Sequence, residues 1–82
     1  MHEMGIASSV LDAANVEAAR RPGSRVMKVG VRIGDWAGVD PESLRFCFDA
    51  LVAGGSPPLP ALDIDFRPGN ELDLVYVELE EP

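Results

Sequence analysis

The sequence predicts an α+β fold, a small three-stranded mixed sheet with two helices packed on one face, in the order helix, strand, helix, strand, strand. Three observations carry this reading. Apolar residues recur at helical spacing over residues 4–20 and again after Asp40. They alternate with polar ones over residues 25–34, 62–67 and 71–79. Between these segments lie Gly- and Pro-rich breakers, at Pro22-Gly23, Gly54-Gly55 and Pro68-Gly69-Asn70.

In the first helix Ala7, Val10, Leu11, Ala14 and Ala18 form one apolar stripe, while Ser8, Ser9, Asp12, Asn15 and Arg20 occupy the other face. In the first strand Met27, Val29, Val31 and Ile33 alternate with Lys28, Gly30 and Arg32, the pattern of a half-buried strand. Asp40-Pro41-Glu42-Ser43 is a helix start: an aspartate accepts from free backbone N–H groups, and proline fits the first helical turn. Leu44, Cys47, Phe48 and Leu51 then share a face. Leu62, Ile64 and Phe66 alternate with Asp63, Asp65 and Arg67 in the second strand. In the third, Val75, Val77 and Leu79 face one way and Leu72, Leu74 and Tyr76 the other, as expected of a strand covered on both sides. The tight turn between the last two strands predicts that they pair antiparallel, and the helix between the first two permits a parallel crossover.

A chain of 82 residues suits one domain, expected to cover residues 1–82. The net charge of -7 argues against nucleic acid, whose phosphates an acidic surface repels. No basic region followed by an apolar run suggests a signal peptide, and no apolar stretch is long enough to span a bilayer, so no membrane association is expected and the cytoplasm is the expected location. The single cysteine, Cys47, excludes an intrachain disulfide, and one Cys with one His does not furnish the four ligands of a structural zinc site. On the apolar helix face Cys47 reads as core. No Ser-His-Asp set or glycine-rich phosphate loop is present, and the GDWAG stretch at Gly34–Gly38 reads as a strand-to-helix loop, so no enzymatic activity is expected. Trp36 in that loop reads as a cover for the sheet end, with a partner anchor as the other use.

The only histidine is His2. At that position the terminal amine, the His2 backbone amide and the imidazole lie in one short segment and close two small chelate rings around a metal. Nitrogen-rich square-planar sets suit Ni(II) or Cu(II). The large side chain at position 2 also favours retention of Met1. A solvated terminus with an idle histidine accounts for the same residue.

The opening MHEMGIASSVLDAA is similar to the start of the hydrogenase nickel-incorporation family (HypA/HybF). VGVRIGDWAGVDPESLRFCFDAL, residues 29–51, resembles the family's strand, IGE-like turn, capped helix start and Leu-x-Phe-x-Phe helix. ALDIDFRP and GNELDLVYVELEE resemble the strands flanking the family's zinc-binding lobe. The resemblance implies a non-enzymatic carrier of Ni(II) for [NiFe]-hydrogenase maturation. Its implied partners are a GTPase and the hydrogenase large-subunit precursor. The implied metal donors map onto Met1, His2 and Glu3: the terminal amine, the His2 side chain, and the amides of His2 and Glu3. In some relatives an acidic residue at the second helix start lies near the metal, which maps onto Asp40. Helix capping also accounts for Asp40 fully.

One departure is large. The family's paired Cys-x-x-Cys motifs are absent where the lobe would be inserted, at about residues 67–70, so no zinc is expected. The competing reading is a metal-independent interaction module derived from that family. Exposed strand edges make a homodimer a possible assembly for either.

Overall fold

The computed structural model describes residues 2–82. Its elements are α1 (Glu3–Ala19), β1 (Arg25–Gly34), α2 (Pro41–Val52), β2 (Ala61–Arg67) and β3 (Leu72–Glu80). The fold is the expected α+β arrangement in the expected order. Both helices pack on one face of a three-stranded mixed sheet. Among the described residues no helix is long and apolar enough to cross a membrane.

Strand pairing departs from the expected hairpin. The sheet order is β2-β1-β3, so β2 and β3 flank β1 and do not pair with each other. β1 runs parallel to β2, with Val29 opposite Leu62 and Ile33 opposite Phe66. It runs antiparallel to β3, with Val29 opposite Val77 and Ile33 opposite Leu72. The turn that signals a hairpin is here a short bridge across the end of β1. Two strand spacings amount to about 10 Å, and the four residues 68–71 can span that distance when extended. Parallel pairing of β1 with β2 buries the central strand on both edges, a gain that a β2–β3 hairpin does not provide.

Backbone hydrogen bonds hold the bridge against the strand end. Gly34 N–H donates to the Glu71 carbonyl at 2.7 Å, Asp35 N–H to the Arg67 carbonyl at 2.8 Å, and Trp36 N–H to the Gly69 carbonyl at 2.8 Å. Gly69 N–H donates in return to Asp35 Oδ1 at 3.1 Å. A Cβ on Gly34 would lie 2.1 Å from the Gly69 carbonyl oxygen, so position 34 requires glycine. Gly69 itself has φ 131°, a backbone conformation that side chains rarely adopt.

A second correction concerns β3. The register slips by one residue between Gly30/Val31, leaving Val75 as an extra residue in β3. Leu72 and Leu74 sit opposite Ile33 and Val31, while Val77 sits opposite Val29. Leu72, Leu74 and Val77, with Leu79 opposite Val26, therefore share the helix-facing side, because the bulge reverses the alternation partway along the strand. Tyr76 is left on the other face, opposite Gly30. Its ring occupies the space that a Gly30 side chain would need, and its hydroxyl donates to Asp63 Oδ2 on β2. This bond, assisted by partial burial, pushes the Tyr76 phenol up to about 12, which keeps it a donor at ordinary pH. A slip between Val26/Lys28 likewise makes Met27 an extra residue in β1, and Val26 rather than Met27 enters the core.

The core lies between the sheet and the helices, and Phe48, Ile33, Leu44 and Val29 are its largest fully buried side chains. Ala7 and Ala14 let α1 approach closely, and Val10, Leu11 and Ala18 of the expected stripe pack at its margin. On α2 the buried row is Leu44, Phe48 and Val52. Leu51 is exposed, against expectation, because spacing by four from Leu44 and Phe48 selects Val52. Cys47 is half-buried beside that row.

Gly34→Ala is expected to lower stability by about 1–3 kcal/mol or more, since the added methyl meets backbone that cannot rotate away. Gly54→Ala, whose methyl meets nothing within 4 Å, should shift the urea midpoint far less. Equal midpoints for the two variants would contradict the bridge as described.

Candidate metal-binding terminus

Three of the four residues singled out for metal binding, His2, Glu3 and Asp40, lie within the described structure; Met1 lies outside it. His2 is the N-cap of α1, and its carbonyl accepts the first helical bond, from Ile6 N–H at 2.9 Å. The amides of His2 and Glu3 thus precede the helical ladder, as the geometry of any helix start dictates. The His2 side chain makes no capping hydrogen bond and is exposed. It lies at a cleft between α1 and β3 whose apolar walls include Ile6, Val10, Leu72 and Leu74.

Glu3 is the buried charged residue among those described. Its carboxylate Oε2 accepts from the backbone N–H of Asp40 at 3.1 Å. That bond is the first cause holding the Glu3 carboxyl down at about 2, with its own backbone N–H adding to the effect. Negative charge at the first turn of α1 is also favoured by the helix dipole. The expected role of the Glu3 side chain as a helix-start acid is therefore only part of its work. It also fastens the start of α1 to the loop that leads into α2.

Asp40 is the N-cap of α2, as its sequence context predicts. Its Oδ1 accepts from Glu42 N–H at 3.0 Å and its Oδ2 from the Ser43 hydroxyl at 3.1 Å. Pro41 takes the first helical position. Both carboxylate oxygens are engaged in the cap, and each retains a lone pair. Glu3 and Asp40 border one groove, together with Met4, Phe46 and Cys47. The His2 side chain lines the separate cleft toward β3. The structure thus brings Glu3 and Asp40 together, while His2 borders a different cleft.

Among the described residues no three His, Cys, Asp or Glu side chains gather as a set able to hold a metal ion. A site at this end has to draw on other donors, and the backbone amides ahead of the helical ladder are nitrogens suited to Ni(II). Two features of this end escaped the sequence reading. The Glu3–Asp40 bond joins residues 37 apart, and no local pattern encodes it. Phe46 is exposed although it belongs to the Leu-x-Phe-x-Phe run; helical geometry places it off the face of Leu44 and Phe48, a signal that was available. Trp36 does not cover the sheet end but is 80% exposed. Its backbone N–H is tied to the Gly69 carbonyl.

The depressed Glu3 pKa links this contact to stability. The unfolded chain holds more protons on Glu3 than the folded one between its ordinary value of 4.5 and about 2. The contribution is therefore complete above about 4.5 and lost as pH falls through 2. Thermal unfolding of Glu3→Gln should lack this part of the acid-side decline. Parallel pH profiles for the two proteins would remove the charged bond from the account. Asp40→Ala should cost about 0.5–2 kcal/mol at neutral pH through loss of the cap, read from urea unfolding.

Comparison with known proteins follows the same residues. The family described as "Hydrogenase/urease nickel incorporation, metallochaperone, hypA" matches residues 1–77. The chain is similar to the hydrogenase maturation factor HypA of Chlorobium limicola, 45% identical over 65 residues, covering 79% of this chain and 56% of the relative. It is similar to that of Chlorobium luteolum, 42% identical over 70 residues, covering 85% of this chain and 60% of the relative. It is also similar to that of Methanopyrus kandleri, 43% identical over 54 residues, covering 66% of this chain and 38% of the relative. The chain thus spans less than two thirds of the length of these relatives. No solved structure matches it.

Proposed function

Since this chain belongs to the family of hydrogenase and urease nickel-incorporation metallochaperones, HypA, we propose that it binds Ni(II) at its N-terminus and carries the ion toward [NiFe]-hydrogenase maturation. The donors in this reading are the Met1 amine, the His2 imidazole, and the amide nitrogens of His2 and Glu3, each of which releases its proton to the solvent as the metal binds. The ion is cargo, held in a square-planar set of nitrogens. The observation that carries the reading is the pairing of an exposed His2 with a buried, anchored Glu3. Glu3 fixes the start of α1 against Asp40, so His2, just ahead of it, stands on a firm base. Asp40 serves first as a helix cap and stands close enough to Glu3 to shape the field around the ion. In this reading the chain acts as a carrier, in line with its metallochaperone family. A GTPase and the hydrogenase large-subunit precursor are the proposed partners, and the cytoplasm is the proposed location.

The run from Phe66 to Glu71 supports reading residues 1–82 as one nickel-binding domain without a zinc lobe. Arg67 and Leu72 are joined by a bridge whose backbone hydrogen bonds are made to the end of β1. We propose that the fold needs no zinc.

The test is a Ni(II) titration of protein with a native, untagged N-terminus. His2→Ala should abolish tight binding with an unchanged unfolding midpoint, because His2 is exposed and makes no side-chain cap. A residue added before Met1 should weaken binding strongly by displacing the amine. Protons compete with the metal for nitrogen donors, so nickel should be lost as pH falls from about 8 toward 6. Stoichiometric binding by His2→Ala, or equal binding by extended and native chains, would overturn the site. A flat titration of the native protein would instead favour a metal-independent interaction module.

A further inference from the structure

The open edge of β3 is the part of the molecule that the proposed nickel site leaves unused. β3 is an edge strand, paired with β1 on one side only. Gly34 N–H donates to the Glu71 carbonyl, and Ile33 stands opposite Leu72. In an antiparallel ladder this makes Ile33–Leu72 a non-hydrogen-bonded pair, and Val31–Leu74 is the next of the same kind. The backbone N–H and C=O groups of Leu72 and Leu74 therefore point away from β1, toward the open edge. The side chains of the same two residues, 44% and 39% exposed, form one wall of the cleft whose other wall is α1, at Ile6 and Val10. Val75, beside them, is also exposed. An unpaired edge and an unfilled apolar cleft thus coincide along one short stretch.

Charge decides what can cover it. Residues 68–82 contain five acids, Glu71, Asp73, Glu78, Glu80 and Glu81, and no base. Antiparallel pairing of β3 with a second copy of itself sets acid-bearing strand against acid-bearing strand, and like charges on facing strands destabilise a sheet. A strand carrying basic residues on its outward face meets complementary charge instead.

We propose that β3 accepts an extended segment of a partner protein as a fourth strand. The segment alternates apolar side chains, which fill the cleft between α1 and Leu72–Leu74, with lysines or arginines, which face the acids of β3. Strand addition of this kind takes its affinity from main-chain hydrogen bonds and its specificity from alternate side chains. His2, one of the proposed nickel donors, also borders this cleft, so the surface is tested in the absence of the metal.

The probe is a synthetic peptide, Lys-Val-Arg-Val-Lys-Val with blocked ends and a fluorophore, titrated by anisotropy in the presence of a metal chelator. Saturable binding is expected, with amide NMR shifts concentrated at residues 72–76 and in the first half of α1. A peptide methylated on alternate backbone nitrogens keeps charge and apolarity but loses ladder donors, and should bind at least tenfold more weakly. Asp73→Lys combined with Glu78→Lys should also weaken binding at least tenfold; both residues are exposed, and an unfolding midpoint checks that the variant folds. Equal binding by the methylated peptide, or by Glu-Val-Glu-Val-Glu-Val, would overturn the proposal. So would concentration-dependent dimerisation that protects residues 72–76 from amide exchange while the basic peptide fails to bind. Because the titration contains no nickel, its failure leaves the nickel reading standing, and the reverse also holds.

Discussion

Most of this architecture depends on β1 sitting between its two neighbours. Once the first strand pairs on both edges, the chain leaving β2 has to cross the end of β1 to reach the far side of the sheet. Four residues make that crossing, and they fit because Gly34 and Gly69 together leave room for backbone to lie on backbone. The amides of Gly34, Asp35 and Trp36 are satisfied by the crossing segment, so the end of the central strand is closed without a long loop. The crossing also places β3 beside α1, and its bulge at Val75 keeps Leu72 and Leu74 on the helix side together with Val77 and Leu79. A one-residue slip flips side chains to the other face of a sheet, so this bulge reconciles an irregular apolar pattern with a single buried face.

The loop that leaves β1 ends at Asp40, where the second constraint enters. Asp40 works through two separate groups. Its side chain caps α2, and its backbone N–H is received by the Glu3 carboxylate from the start of α1. The two helices are therefore joined at their N-terminal ends by a charge-assisted hydrogen bond, a class about twice as strong as its neutral counterpart. A carboxylate that is nearly buried needs such a partner, because desolvation without one would favour its neutral form. The consequence for function is positional. A carrier has to hold its cargo at a place a recipient can reach, and the exposed His2 next to a fixed Glu3 meets that need in the proposed reading.

The polar face of the sheet shows the same economy of contacts. Arg32 and Arg67 both donate to Asp65 Oδ2, at 3.1 and 2.7 Å, and hold that carboxyl below the usual carboxylate range. Tyr76 reaches across Gly30 to Asp63 on β2. These partly exposed pairs add little individual stability. Their effect is to connect all three strands on the face that the helices do not cover.

Much of this protein was legible in its sequence. Helical spacing, strand alternation and the Asp40-Pro41 start are local signals, and they marked the five elements to within a residue or two, including β1 at its observed bounds. The family resemblance was legible as well, because its motifs are short runs read in order. His2 was legible as a candidate because a chelate formed by adjacent residues is itself a local pattern. What local pattern could not carry was every relation between residues far apart. The turn at Pro68–Asn70 looks the same whether it closes a hairpin or crosses a strand end, and only the pairing of β1 with both neighbours decides between them. The bulge at Val75 is invisible until the register with β1 is known, so the sides of Leu72, Leu74 and Tyr76 could not be assigned. The bond from Asp40 N–H to Glu3 joins positions 37 residues apart. Neither residue's neighbours announce it, because the contact exists only once α1 and α2 have packed on the same sheet.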